Sequence, residues 1–317
     1  MKSKRDLFLW GMIALMFFAS AFIYDLYTMK SYGGNRIFGV SYMTMNNPFY
    51  TVIQNELVKV VESRGDRLVL RDPMLDPDKQ SEQIEEFIKM KVDGIFINPV
   101  DSITIEESLQ EAKDAGIPVI VIDCPMDTSK STTSSIYSDN FEAGVLWAKD
   151  LASKFEGGNV ALIKHSEVRS GRDRIEGFLY EITNYPQFKV VNEAECFGQT
   201  ELAMPAVLSM MEETPDIDFI MCLNDPSAMG AIAALQYLNR DDIRVYGVDG
   251  TPDFKEQLTR SSSAEATVMQ MPYDMAKIAS EQMYRALQKD KVEPVTVIPV
   301  KLLDRSNLDV KALREWQ

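Results

Sequence analysis

The chain has 317 residues, 48 of them acidic and 33 basic, for a formal net charge of −15. So acidic a balance disfavours nucleic acid and anionic lipid surfaces as partners. The three cysteines, Cys124, Cys196 and Cys222, have no C-x-x-C spacing, so they supply neither a disulfide framework nor a zinc or redox site.

The first element is apolar. Met1 to Asp6 is basic on balance, and Leu7 to Tyr24 then runs for 18 residues without a charge. That exceeds the usual core of a cleaved signal and reaches the length of a tilted membrane helix. The basic flank places the N-terminus inside and everything after about residue 30 outside. Ala19-Ser20-Ala21 has the small-residue pattern of a cleavage site, but Phe22-Ile23-Tyr24 extends the apolar run beyond it. The expectation is therefore an uncleaved signal anchor over residues 1–30, in the membrane through residues 7–24. No cysteine stands nearby to carry a lipid.

After a short spacer, β-rich apolar runs alternate with helical patterns. The strands read from sequence are Ile37–Tyr42, Arg67–Arg71, Gly94–Ile97, Val119–Ile122, Ser134–Tyr137, Val160–Ile163, Val190–Glu195, Phe219–Cys222, Val245–Val248, Ala266–Met269 and Val295–Leu302. Between them apolar residues recur at helical spacing, as at Ile84, Phe87 and Ile88 or at Ile232, Leu235 and Leu238. Runs that are apolar throughout, such as Val119-Ile120-Val121-Ile122, suit a parallel sheet covered on both faces. Strict alternation predicts α/β architecture, and eleven strands predict two doubly wound parallel-sheet domains rather than one.

Polar and aromatic side chains gather where these strands end. Asn47, Phe49 and Tyr50 follow the first strand at the start of a helix, with Pro48 suited to the first helical turn. Asp123 and Cys124 follow Val119–Ile122, Asn224 follows Phe219–Cys222, and Asp249 follows Val245–Val248. Gln270 follows Ala266–Met269, Phe197 follows the run ending at Glu195, and Arg172 opens the helix after Val160–Ile163. Singly, such residues cap helices or form turns. Together they occupy the sheet edge where open α/β folds bind ligands. The set holds planar amides, carboxylates and aromatic faces but no nucleophile–base pair, which describes binding rather than catalysis.

These residues belong to longer motifs. Asn46-Asn47-Pro48-Phe49-Tyr50, Asn98-Pro99-Val100-Asp101-Ser102, Ser138-Asp139-Asn140, Asn224-Asp225, Asp249-Gly250-Thr251-Pro252-Asp253 and Gln270-Met271-Pro272 occur in that order. In this the chain resembles the ribose-binding branch of the periplasmic sugar-binding proteins, over about residues 36–303. The resemblance implies two lobes, residues 36–137 plus 271–298 and residues 138–270 plus 299–317, joined by a three-segment hinge that closes on a pentose or hexose. It implies Phe49 or Tyr50 on one sugar face and Phe197 on the other. Asn47, Asp123, Asn224, Asp249 and Gln270 would bond the ligand, with Arg172 as a two-pronged donor. Two departures stand out. Cys124 occupies the place of an arginine, which puts ribose itself in question, and Lys301 replaces an acidic hinge residue.

Other features read as structural. His165 is a solvated or core histidine, because no partner with metal or triad spacing accompanies it. Asp72, Asp76 and Asp78 read as loop and cap residues rather than a calcium loop. Gly157-Gly158 is a tight turn, and Ser166 and Ser170 lack a nucleophile-elbow setting. The resemblance implies no cofactor and no enzyme activity. It implies either delivery of a monosaccharide to an ABC permease or sensing through a membrane histidine kinase. The related sugar-responsive repressors are disfavoured, since an apolar segment stands where a DNA-binding helix pair would be.

Overall fold

The computed structural model describes residues 36–127 and 130–316, together with Met16, Ala19 and Ser20. The expected membrane segment at 7–24 otherwise lies outside the described residues, among which no helix is long and apolar enough to cross a membrane.

Among the described residues, twelve strands form two six-stranded sheets. The first contains β1 (Ile37–Ser41), β2 (Arg67–Arg71), β3 (Gly94–Ile97), β4 (Val119–Ile122), β5 (Ser134–Ser138) and β11 (Val295–Ile298), in the order β11-β5-β4-β3-β1-β2. The second contains β6 (Gly158–Lys164), β7 (Phe188–Glu195), β8 (Phe219–Cys222), β9 (Arg244–Asp249), β10 (Ala264–Met269) and β12 (Lys301–Asp304), in the order β12-β10-β9-β8-β6-β7. Helices of the described residues alternate with them: α1 (Pro48–Glu62), α2 (Pro77–Met90), α3 (Glu106–Asp114), α4 (Asn140–Lys154), α5 (Arg169–Ile182), α6 (Thr200–Glu213), α7 (Asp225–Leu238), α8 (Pro252–Arg260) and α9 (Pro272–Leu287).

The strand patterns explain this layering. β3 and β4 are buried at every residue, as strands covered by helices on both faces must be. Alternate residues serve opposite layers: Phe96, Ile120 and Ile122 pack with α1 and α9, whereas Ile95, Ile97, Val119 and Val121 pack with α2 and α3. The second sheet divides likewise. Ile163, Ile220 and Val245 face α6 and α7, and Leu162, Met221 and Tyr246 face α4 and α5. Fully burying each such side chain is worth about 1.5–3 kcal/mol, so these four layers hold the sheets in place.

Three strand-to-helix turns on the carboxyl edges are built by a polar cap followed by proline. Asn47 precedes Pro48 and accepts from the Phe49 N–H, and Thr251 precedes Pro252 and accepts from the Phe254 N–H. Asp76 caps α2 in the same way, so its carboxylate goes to backbone, as does that of Asp72.

The chain passes between the sheets three times: after β5, after β10, and from β11 to β12. The last passage corrects the expectation of one strand over Val295–Leu302. Pro299, which has no N–H to give a ladder, breaks the run, and its halves join different sheets. Because β12 enters the second sheet directly from this crossing, it runs antiparallel to β10 in an otherwise parallel sheet. The C-terminal tail then contacts both halves of the molecule. The Glu315 carbonyl accepts from Lys255 Nζ on α8 at 2.7 Å, and the Trp316 ring lies 5.8 Å from Phe49 on α1.

Candidate ligand-binding cleft

The carboxyl edges of the two sheets face each other across a compact cavity lined from both sides. Asn47, Phe49 and Tyr50 from the start of α1 and Asp123 from the end of β4 line one side. Phe197, Asn224, Asp249 and Gln270 line the other. These eight sequence-expected residues are therefore brought together by the strand ends that carry them.

Asp123 sits in a three-residue turn closed by the Cys124 N–H on the Ile122 carbonyl, at a φ of 70°. Such a turn is strained, at a cost of about 1–3 kcal/mol. It lets the Asp123 carboxylate enter the cavity while the next residue turns into the core. Oδ2 of Asp123 accepts from the Tyr50 hydroxyl at 3.1 Å and from Asn98 Nδ2 at 3.3 Å, and Oδ1 has no partner. Burial is the largest influence on this carboxyl and raises its pKa to about 6, against the pull of Arg174.

Asp249 is its counterpart. Its Oδ1 accepts from Gln270 Nε2 at 2.7 Å, while Asp249 Oδ2 and Gln270 Oε1 are buried without partners. Burial, followed by the nearby Asp225 carboxylate, pushes the Asp249 pKa far up. Asp225 itself serves the framework, accepting from the Thr251 N–H and the Thr267 hydroxyl, both at 2.7 Å. Phe197 adopts a left-handed φ of 53° and adds an aromatic surface. Tyr50 stacks on Tyr42 at 5.6 Å, and Phe49 meets Tyr50 edge-on.

Arg172 and Cys124 stand elsewhere, which revises two sequence expectations. The guanidinium of Arg172 bonds both carboxylate oxygens of Asp127 at 3.0 and 3.1 Å and the carbonyls of Ser166 and Glu167. Arg174 lines the cavity instead, with Nε on Asn140 Oδ1 at 2.8 Å and Nη1 on the Leu223 carbonyl at 2.5 Å. Two residues apart on a helix, the arginines point about 200° apart, so they cannot share a face. A sequence signal was present: Gly171, Arg174, Ile175 and Phe178 follow the buried helical stripe of α5, and Arg172 does not. Cys124 is buried in the apolar cluster with Val168, and its thiol pKa is pushed up to about 11 by burial. Cavity-lining His165 and Ser170 were also missed, since position one residue past β6 or at a helix start says little by itself.

Chemically, the site offers three unpartnered buried acceptors, aromatic surfaces and one arginine. Unpartnered buried oxygens are costly, so the cavity suits a compact molecule with several O–H donors and apolar ring faces. Among the described residues no cluster of His, Cys, Asp and Glu is arranged to hold a metal.

Comparison with known proteins agrees with this fold. A family model described as a periplasmic binding protein domain matches residues 38–291. The ribose import binding protein of Bacillus subtilis is 30% identical over 266 residues, 83% of this chain and 86% of that protein. The D-apiose import binding protein of Actinobacillus succinogenes is 25% identical over 302 residues, 94% of each chain. Among solved structures, an ABC transporter solute-binding protein from Mycobacterium smegmatis with bound glycerol superimposes with a TM-score of 0.82 at 26% identity, over 86% of this chain and 96% of its own. One from Bacillus halodurans with bound myo-inositol gives 0.81 at 26% identity, over the same shares.

Proposed function

Because this chain belongs to the periplasmic binding protein family, whose members bind solutes without converting them, we propose that it captures a pentose or hexose outside the cell membrane and presents it to an ABC permease. The observation that carries this reading is the set of buried, unpartnered oxygens on Asp123, Asp249 and Gln270 between Phe49, Tyr50 and Phe197. Sugar hydroxyls would donate to those oxygens, and the aromatic faces would cover the ring. Arg174 would take the donor role first expected of Arg172. Asn47 Nδ2 remains available, because its Oδ1 is spent on the helix cap. Import proteins for ribose and apiose among the relatives support a monosaccharide of this size.

In this reading, residues 36–137 with 271–298 and residues 138–270 with 299–317 are the lobes that close. Arg172 on Asp127, and Asn46 on Glu201 at 3.0 Å, would latch the two rims. Titration calorimetry of the purified full-length chain with D-ribose, D-allose, D-glucose and myo-inositol tests it. One of these should bind at one site, and Asp249→Ala should weaken that binding at least a hundredfold. Absence of binding by all four would sink the proposal.

A second use is favoured by the charge-free run at residues 7–24, which has no lipid cysteine near it. A permanently anchored binding protein stays beside one membrane partner, so it would suit sensing through a histidine kinase. Mass spectrometry of the native N-terminus and co-purification from membranes separate the two uses. A cleaved N-terminus with permease subunits attached would exclude anchored sensing.

A further inference from the structure

His165 is the single histidine of the chain, and it stands one residue beyond β6. It lines the cavity and is only 5% exposed. Buried polar groups almost always have hydrogen-bond partners. Among the described residues, however, none bonds the His165 imidazole. Its neighbours are the Phe197 ring, edge-on at 5.5 Å, and the Glu195 carboxylate. Glu195 is already engaged by the Ser166 N–H and hydroxyl, and Lys164 lies on the same carboxylate. Burial lowers the imidazole pKa to about 4, so the ring is neutral at ordinary pH and offers one N–H and one lone pair.

The rest of the cavity explains why this matters. Its carboxylate and amide oxygens are acceptors awaiting hydroxyl donors. One Gln270 amide N–H and the Tyr50 hydroxyl go to Asp249 and Asp123, and Asn224 gives one N–H to the Gly198 carbonyl and its oxygen to the α7 cap. His165 differs from these groups in that neither of its ring nitrogens is bonded within the described residues, so its donor and its acceptor are both left for a ligand.

The geometry points to His165 as a specificity-determining ligand contact, whose imidazole exchanges a hydrogen bond with a ligand hydroxyl beside Phe197. The preferred ligand is thus a polyhydroxylated ring that carries a hydroxyl at that edge, and an analogue lacking it leaves the imidazole buried and unpartnered. Sites built to bond a hydroxyl reject such analogues strongly. The assignment rests on reading the cleft as a monosaccharide site.

The test uses the purified full-length chain as wild type, His165→Gln, His165→Leu and His165→Ala, with matched thermal unfolding. Calorimetry is run with D-ribose, D-allose, D-glucose and myo-inositol, then with every monodeoxy derivative of the tightest of them. Wild type should reject one monodeoxy derivative by about tenfold or more. That rejection should fall below about threefold in the Leu and Ala variants and be kept by Gln, which retains a donor and an acceptor. The two apolar variants make the comparison safe against a folding failure in either. A deoxy ranking unchanged in a folded Leu or Ala variant overturns the assignment while leaving the sugar reading intact. Failure of all four parent probes to bind wild type overturns both.

Discussion

Single residues in this cleft carry opposing charges whose balance is measurable. The Asp123 carboxyl has a folded-state pKa of about 6, above its ordinary value of 3.8. Between those values the folded state binds more protons than the unfolded chain. The ligand-free fold therefore loses stability as pH rises through about 4 to 6, by up to about 3 kcal/mol from this group. A ligand that donates hydroxyls to Asp123 favours the carboxylate, so binding should release a proton and tighten from pH 5 to 7. Calorimetry in buffers of different ionisation enthalpy reads the proton. Thermal unfolding of Asp123→Asn should show a flatter pH dependence, with the remaining slope shared by the raised Asp225 and Asp249 carboxyls and opposed by the lowered His165 imidazole. The two arginines give a second contrast. Arg174→Ala leaves Asn140, the Leu223 carbonyl and the cleft carboxylates without their cation, and should cost about 3–5 kcal/mol in chemical denaturation. Arg172→Ala removes a half-exposed pair and should cost less than about 1 kcal/mol. Equal losses would contradict the placement of the two side chains. Eight cavity-lining residues were legible from sequence, because a polar or aromatic residue in the turn that follows an apolar parallel strand falls near the carboxyl edge. The cavity-lining arginine differed from the expected one because helical phase turns Arg174 rather than Arg172 inward, and His165 carries no local signal in the sequence.

At the scale of elements, helix contacts fix where those side chains stand. Helices α4 and α5 approach so closely that a Cβ on Gly177 would lie 2.0 Å from the Phe141 carbonyl, and one on Gly144 would lie 1.9 Å from the Arg174 carbonyl. Neither neighbour is a flexible side chain, so the helices themselves would have to shift. Gly177→Ala should therefore destabilise by about 1–3 kcal/mol and also weaken ligand binding, because α5 carries Ser170 and Arg174. Destabilisation with unchanged affinity would show that α5 does not set the site. The strands were legible in sequence because buried parallel strands are continuous apolar runs. The split of Val295–Leu302 was not, since apolar character continues through Pro299 and only the crossing between sheets separates the halves. The antiparallel direction of β12 follows from that crossing and leaves no trace in hydrophobic pattern.

For the whole molecule, two sheets line one cavity, and a tail touches both sides. Trp316 rests on Phe49 while Lys255 holds the carbonyl before it. Trp316→Ala should weaken binding of every accepted sugar by about the same factor, roughly threefold to tenfold for the loss of one aromatic contact, without reordering them. A changed order would mean that the tail reaches the ligand. The two-domain α/β class was legible from the count and alternation of elements, whereas the tail contact depends on packing between residues distant in sequence. The central claim is that this cleft captures a small polyhydroxylated ring. Its most direct test is titration of the full-length chain with D-ribose, D-allose, D-glucose and myo-inositol, in parallel with Asp249→Ala. The account predicts one-site binding of at least one of them and a loss of at least a hundredfold in the variant. Binding to none, or equal binding by both proteins, would contradict it.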